Sequence, residues 1–122
     1  MKKLPERTGN RLLRYRDEPT LSVTRLRDLL KRGLKEFLAA SQESEHADGP
    51  LGVRLYHAFE LLLERPIADE DWPRVQAAAH YLVDSQDEED DLESPVGMVD
   101  DAEVFNDLCI ALGYPDLKVS LT

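Results

Sequence analysis

The sequence lacks several features that identify common protein classes. Its 122 residues include one cysteine, Cys109, so no disulfide can form within the chain. No apolar run approaches the roughly 18 residues of a membrane-spanning helix. The basic N-terminus is followed by no apolar stretch, so we expect no secretory signal and a reducing, cytoplasmic location. Aromatic residues make up 7% of the chain, which does not suggest a surface for stacking nucleic-acid bases.

Familiar catalytic motifs are also missing. The sequence contains no G-x-S-x-G, no glycine-rich phosphate loop, no C-x-x-C pair and no P-loop. Cys109 belongs to the apolar stripe of the last predicted helix, where no neighbouring cation would activate its thiol. We therefore predict no catalytic residue and no cofactor, and we favour a non-catalytic protein, although missing motifs do not exclude an enzyme.

Charge is distributed very unevenly. The net charge is −10, yet residues 1–36 carry eleven basic and five acidic side chains, a balance of +6, which leaves −16 for the remainder. This asymmetry predicts a basic N-terminal arm and first helix on an acidic body. Two interpretations follow. The basic segment packs near the acidic body and offsets its self-repulsion, or it binds an anionic partner such as nucleic acid.

Apolar residues recur at helical spacing, which predicts an all-α bundle of four main helices. Residues 1–19 are polar and interrupted by proline and glycine, so we expect a partly flexible basic arm followed by one helical domain at 20–122. The predicted helices begin at Thr20 or Ser22, at Pro50, between Asp69 and Pro73, and near Met98, and the last ends at Leu112 with Gly113 as its cap.

Two positions in these helices carry more specific expectations. Gly33 weakens the first predicted helix by roughly 1 kcal/mol relative to alanine, so we expect a close neighbour there. Trp72 precedes Pro73, and this disfavours a helical backbone at Trp72. We expect the Trp72 side chain to fold over the helix start, outside the helix itself.

A family resemblance covers the end of the third predicted helix, the connection that follows and the start of the fourth, roughly Tyr81 to Asp101. The residues that carry it are Tyr81-Leu82-Val83, Asp87, Asp91-Leu92 and Gly97-Met98-Val99-Asp100-Asp101. In sequence and spacing this stretch resembles the YkvA-like domain of unknown function. The resemblance implies a helical fold and no particular activity. The positions between the aspartates are acidic here and apolar in that family, and a segment this charged cannot enter a bilayer.

The acidic connection suggests two kinds of site. Seven of the ten residues from Asp84 to Glu93 are acidic, and hard cations such as Ca²⁺ or Mg²⁺ take several carboxylate oxygens. The spacing does not follow the EF-hand order, and we favour a solvated segment with Asp87, Asp91, Asp100 and Asp101 as helix caps. Alternatively, the block of like charge binds a basic surface of a partner protein.

Histidines offer a second, weaker metal candidate. His57 and His80 each lie near a carboxylate on a predicted helix, so two neighbouring helices could bring them together in a bundle core. The paired Glu-x-x-His pattern of such sites is absent. A single histidine on an apolar helix more often packs against its neighbours, and we favour that interpretation over metal ligation.

These features lead to three functional hypotheses. The first is a non-catalytic helical interaction protein, a subunit or regulator of a larger assembly, whose partner is another protein or a second copy. The second is a nucleic-acid-linked regulator that uses the basic arm. The third is a metal-dependent enzyme or metal sensor. The predicted partner-binding residues are Asp84, Asp87, Glu88, Glu89, Asp90, Asp91, Arg11, Arg14, Arg16 and Arg25.

Overall fold

The structure, a computed structural model, describes residues 3–43, 49–85 and 95–120. These ranges contain helices and no strand, so the all-α prediction is confirmed. The elements are α1 (Glu6–Leu12), a 3-10 turn (Leu13–Tyr15), α2 (Val23–Glu43), α3 (Gly49–Leu63), α4 (Trp72–Ser85), α5 (Pro95–Leu112) and a second 3-10 turn (Pro115–Leu117). Within these ranges no helix combines the length and the apolar character that crossing a membrane would require.

Among the described residues, four long helices form the bundle that the periodicity predicted. Helix α2 packs against α3 and α4, and α5 packs against the same two helices from the other side. Helices α3 and α4 therefore lie on opposite corners of the bundle. The short helix α1 packs across α4 and α5. The core includes several large side chains with almost no exposed surface: Leu26, Phe37, Leu55, Phe59 and Leu108.

The predicted start of the first long helix is confirmed at Ser22. The backbone N–H of Arg25 donates to Ser22 Oγ over 3.2 Å, so the serine satisfies a helix-terminal donor. Most of the predicted apolar stripe of α2 faces the core, including Leu26, Leu30 and Phe37. Its two ends do not, because Val23 and Leu38 are 42% and 43% exposed.

Glycines allow the long helices to approach closely, as predicted for Gly33. A Cβ added at Gly33 would lie 2.8 Å from both Tyr56 Oη and Val83 Cγ2, so α3 and α4 both contact α2 there. On α3, a Cβ at Gly52 would overlap the ring of Phe37. Both positions need a residue without a side chain because a neighbouring side chain occupies the space.

The prediction that Trp72 lies outside the helix is wrong, because Trp72 is the first residue of α4. The backbone N–H of Trp72 donates to the carbonyl of Ala68, which starts the helical turn before Pro73. A proline in the first turn has no N–H that the helix needs, so the helix tolerates it at this position. The indole Nε1 donates to the carbonyl of Leu21 over 2.9 Å and ties α4 to the segment before α2.

The N-terminal segment differs from the expected arm with little fixed structure. Residues 6–15 are helical, and Leu4, Thr8, Leu12 and Tyr15 are buried against α4 and α5. Their spacing of four, four and three is the helical pattern, although Pro5 and Gly9 obscured it. Pro5 directly precedes α1, so it does not interrupt the helix.

The C-terminal segment is held by capping and side-chain amide bonds. Gly113 has φ +87°, and the N–H of Tyr114 donates to the Cys109 carbonyl over 2.8 Å, which closes α5 as predicted. Asn106 then pairs with the backbone of Val119 through a donor and an acceptor, over 3.0 and 2.8 Å. These bonds fix an otherwise irregular tail against the bundle.

Candidate interaction surfaces

Ion pairs attach α1 to the acidic side of α5. Arg11 lies 3.2 Å from Asp100 Oδ1 and 3.6 Å from Glu103 Oε2, and 17% of its side chain is exposed. Arg7 approaches the same two carboxylates over 3.7 and 4.0 Å from a more exposed position. The two cations therefore share two anions at the edge of the interface between α1 and α5.

A partly buried hydrogen bond supports this contact. The hydroxyl of Thr8 donates to Asp107 Oδ2, and Thr8 is 2% exposed. Together with the ion pairs, this bond means that the basic N-terminal segment packs on the acidic body, which was one of the two interpretations of the charge asymmetry. Arg11 was predicted to bind a partner, but its charge is paired with Asp100 and Glu103 of the same domain.

Other predicted basic residues face solvent. Arg16 is exposed and lies 3.9 Å from the exposed Asp17, and Arg14 stacks on the ring of Tyr15 with 5.0 Å to its centroid. Arg25 begins a series of exposed cations along α2 that also includes Lys31, Arg32 and Lys35. None of these four forms an ion pair with any residue in the part of the chain that the structure describes.

We call these four residues the basic face of α2. Its members lie at spacings of six, one and three, which places them on the solvent side of the helix opposite Leu26 and Leu30. Two exposed acids, Asp28 and Glu36, lie among them, so the face has four positive charges against two negative ones. The face remains positive in a protein whose net charge is −10.

The predicted acidic surface lies mostly outside the described residues. Asp84 is half-buried near the C-terminal end of α4. The remaining predicted members fall between 86 and 94 and lie outside the described ranges: Asp87, Glu88, Glu89, Asp90 and Asp91. Helix α5 begins at Pro95, so Asp100 and Asp101 lie well inside it and are not caps, which corrects that prediction. Asp100 instead forms ion pairs with Arg7 and Arg11 of α1.

The two candidate metal-binding histidines do not meet. His57 is exposed on α3, while His80 lies half-buried on α4, at the opposite corner of the bundle. His80 stacks on Tyr15, with 6.0 Å between ring centroids and 12° between ring planes. Among the described residues, no group of three or more histidine, cysteine or acidic side chains could hold a metal ion.

Cys109 has the structural setting expected from its helix position. It is fully buried, and burial together with the negative charge of Asp116 raises the pKa of its thiol to about 12. A thiol with this pKa stays protonated at neutral pH, and the thiolate is the nucleophilic form. Cys109 therefore contributes packing to the core.

A groove between α1 and α4 is the feature that sequence reasoning missed. It has a volume of about 490 Å³, within the roughly 300–1,000 Å³ typical of ligand pockets. Its lining includes Leu12, Leu13 and Pro73, and its rim includes Arg16 and Arg74. The groove exists because α1 packs against α4. The helical spacing of Leu4, Thr8, Leu12 and Tyr15 was the signal that could have predicted α1 itself, but not the helix it packs against.

Comparison with known proteins identified no relative: no family model, no curated protein and no solved structure matches the chain. The resemblance to the YkvA-like domain stays a prediction. What can be said of function therefore rests on the surfaces described above.

Proposed function

We propose that the chain is a non-catalytic helical interaction protein, a subunit or regulator of a larger assembly. The basic face of α2 is one of its binding surfaces and the acidic segment from Asp84 to Glu93 is the other. The observation that carries the proposal is the contrast between α1 and α2. Arg7 and Arg11 of α1 pair with acids of α5, whereas Arg25, Lys31, Arg32 and Lys35 pair with no acid of the described ranges.

Electrostatics favours a partner with an acidic surface. A local positive potential on an acidic protein attracts and orients a negatively charged surface, and it raises the rate of encounter more than the final affinity. A second copy would also satisfy this requirement, because its acidic segment has the complementary charge. Such a contact joins different surfaces of the two copies, so it is heterologous.

Reversing charge on the basic face tests this proposal. The double variant Arg25→Glu/Arg32→Glu should lose the partner protein that copurifies with the wild type at low salt. Lys118→Glu is the matched control, because Lys118 is exposed and lies outside α2. The double variant Asp28→Lys/Glu36→Lys, which makes the same face more basic, should retain the partner. Titration of the purified partner against all four proteins would then measure the affinities.

Three results would contradict the proposal. One is a monodisperse wild-type monomer with no partner at low salt. Another is equal retention of the partner by the wild type and the Arg25→Glu/Arg32→Glu variant. The third is binding to DNA or RNA that falls steeply with salt and depends on residues 1–19, which is the behaviour of the nucleic-acid-linked regulator.

A further inference from the structure

We propose that the groove between α1 and α4 binds an acidic peptide segment of a partner protein, anchored by one or two leucine or phenylalanine side chains. The inference rests on the proposed role as an interaction protein and names the chemistry of one partner. It concerns residues that are not part of the basic face of α2, so the two surfaces can be tested separately.

The apolar part of the groove lining explains the need for an apolar anchor. It comprises Leu4, Leu12 and Leu13 from the N-terminal segment and Pro73 and Ala77 from α4. Leu12 is buried, but its neighbour Leu13 is 54% exposed, the most exposed large apolar side chain described. Covering this side chain with another apolar group removes apolar surface from water, which stabilises a complex by roughly 25 cal/mol per Å².

The rim of the groove explains the need for acidic flanks. Lys3, Arg16 and Arg74 line it together with one acid, Glu6, and Asp17 lies 3.9 Å from Arg16, so basic side chains outnumber acidic ones by three to two. The rest of the protein has the opposite balance, with a net charge of −10 overall. A segment with carboxylates on both sides of its anchor therefore matches this rim, and a basic segment does not.

Gly9 leaves the groove open along α1. A Cβ added at Gly9 meets no atom within 4 Å, and its φ is not positive, so a side chain there would extend into free space. Because Gly9 lines the groove, a large side chain at this position fills it. Glycine also disfavours a helix relative to other residues, so replacing it does not weaken α1. Gly9→Leu thus blocks the groove in a folded protein.

Fluorescence anisotropy with synthetic peptides provides the test. The probe is a labelled peptide of glutamate and aspartate with leucines at helical spacings of three and four. One control peptide has serine in place of leucine, and another has lysine in place of the acids. We expect saturable micromolar binding of the first peptide to the full chain, weakened by added salt, and at least tenfold weaker binding of both controls.

Matched variants locate the binding. Gly9→Leu should weaken the peptide at least tenfold, and Leu13→Ser should do so by about tenfold, because the contact of one apolar side chain is lost. Leu38→Ser is the control for Leu13→Ser, because Leu38 is 43% exposed but lies on α2. Arg16→Glu should weaken binding severalfold, whereas Lys118→Glu should leave it almost unchanged. Circular dichroism confirms that each variant is folded.

Several outcomes would overturn the inference. They are no saturable binding to the wild type, equal binding to Gly9→Leu, and equal binding of the lysine peptide. Sedimentation that shows a wild-type dimer and a monomeric Gly9→Leu variant would assign the groove to a second copy instead. The Arg25→Glu/Arg32→Glu variant should bind the peptide normally, so failure at the groove and failure at the basic face of α2 remain distinguishable.

Discussion

The N-terminal segment and α2 are both rich in arginine and lysine, but the structure uses their charges differently. Arg7 and Arg11 contact Asp100 and Glu103, and the helix that carries them has a buried side against the bundle. The basic face of α2 turns away from the core and has no such partners in the described ranges. Similar sequence composition therefore gives an internal contact in one region and an available surface in the other.

The largest expected effect distinguishes a packed N-terminal helix from a flexible arm. Leu12→Ala should lower the free energy of unfolding by about 2–4 kcal/mol, because Leu12 is 5% exposed and its removal leaves a cavity. Its neighbour is the control, since Leu13→Ala should cost less than about 0.5 kcal/mol at a 54% exposed position. Urea denaturation measures both. Equally small effects would mean that the segment does not pack on the bundle in solution.

Glycine substitutions extend the comparison to the backbone. Gly33→Ala should destabilise the protein by about 1–3 kcal/mol, because the new methyl group overlaps Tyr56 and Val83. Gly9→Ala should stabilise it by up to about 1 kcal/mol, because it enters open space on a helix. Thermal unfolding of the two variants should shift in opposite directions. A shift in the same direction would contradict the described packing of one of these helices.

Ion pairing predicts a smaller difference. Arg11→Gln should cost about 1 kcal/mol, because it removes a partly buried cation from Asp100 and Glu103. Arg25→Gln should change the free energy of unfolding by less than about 0.5 kcal/mol, because this residue is exposed. Repeating the urea titrations at high salt should reduce the cost of Arg11→Gln. If Arg11→Gln and Arg25→Gln lowered the free energy of unfolding equally at low salt, the proposed difference between the paired cations of α1 and the cations of α2 that are unpaired in the described ranges would be contradicted.

The smallest effect concerns a separate ion pair, between Arg65 and Asp116. Arg65 lies 2.7 Å from Asp116, and this hydrogen bond lowers the pKa of the exposed carboxyl. A lowered folded-state pKa stabilises the protein above the unfolded pKa of about 3.9, and the contribution disappears as the pH falls through the folded value. The urea midpoint of Asp116→Asn should therefore lie slightly below that of the wild type at pH 7 and converge with it in acid. Parallel pH profiles would contradict this assignment.

The candidate surfaces were only partly predictable from the sequence. The exposed position of Arg25 follows from the apolar spacing of Leu26 and Leu30, because a helix places its remaining residues on the opposite side. The pairing of Arg11 does not follow, since Asp100 is 89 residues away in the chain and many acids could have served. The groove escaped prediction because it forms only where two helices, distant in sequence, pack together.

Local physical chemistry determined the four long helices, some of their caps and most of the inward-facing stripes, because hydrogen bonds and side-chain spacing along a helix are properties of neighbouring residues. It is sufficient to place Gly113 at a helix end and Cys109 in the core, and it offers Ser22 together with Thr20 as a helix start. Tertiary structure decided that α1 packs across α4 and α5, and thereby which cations are paired and where a groove opens. Those outcomes depend on distances between segments remote in sequence, which only the packed bundle sets.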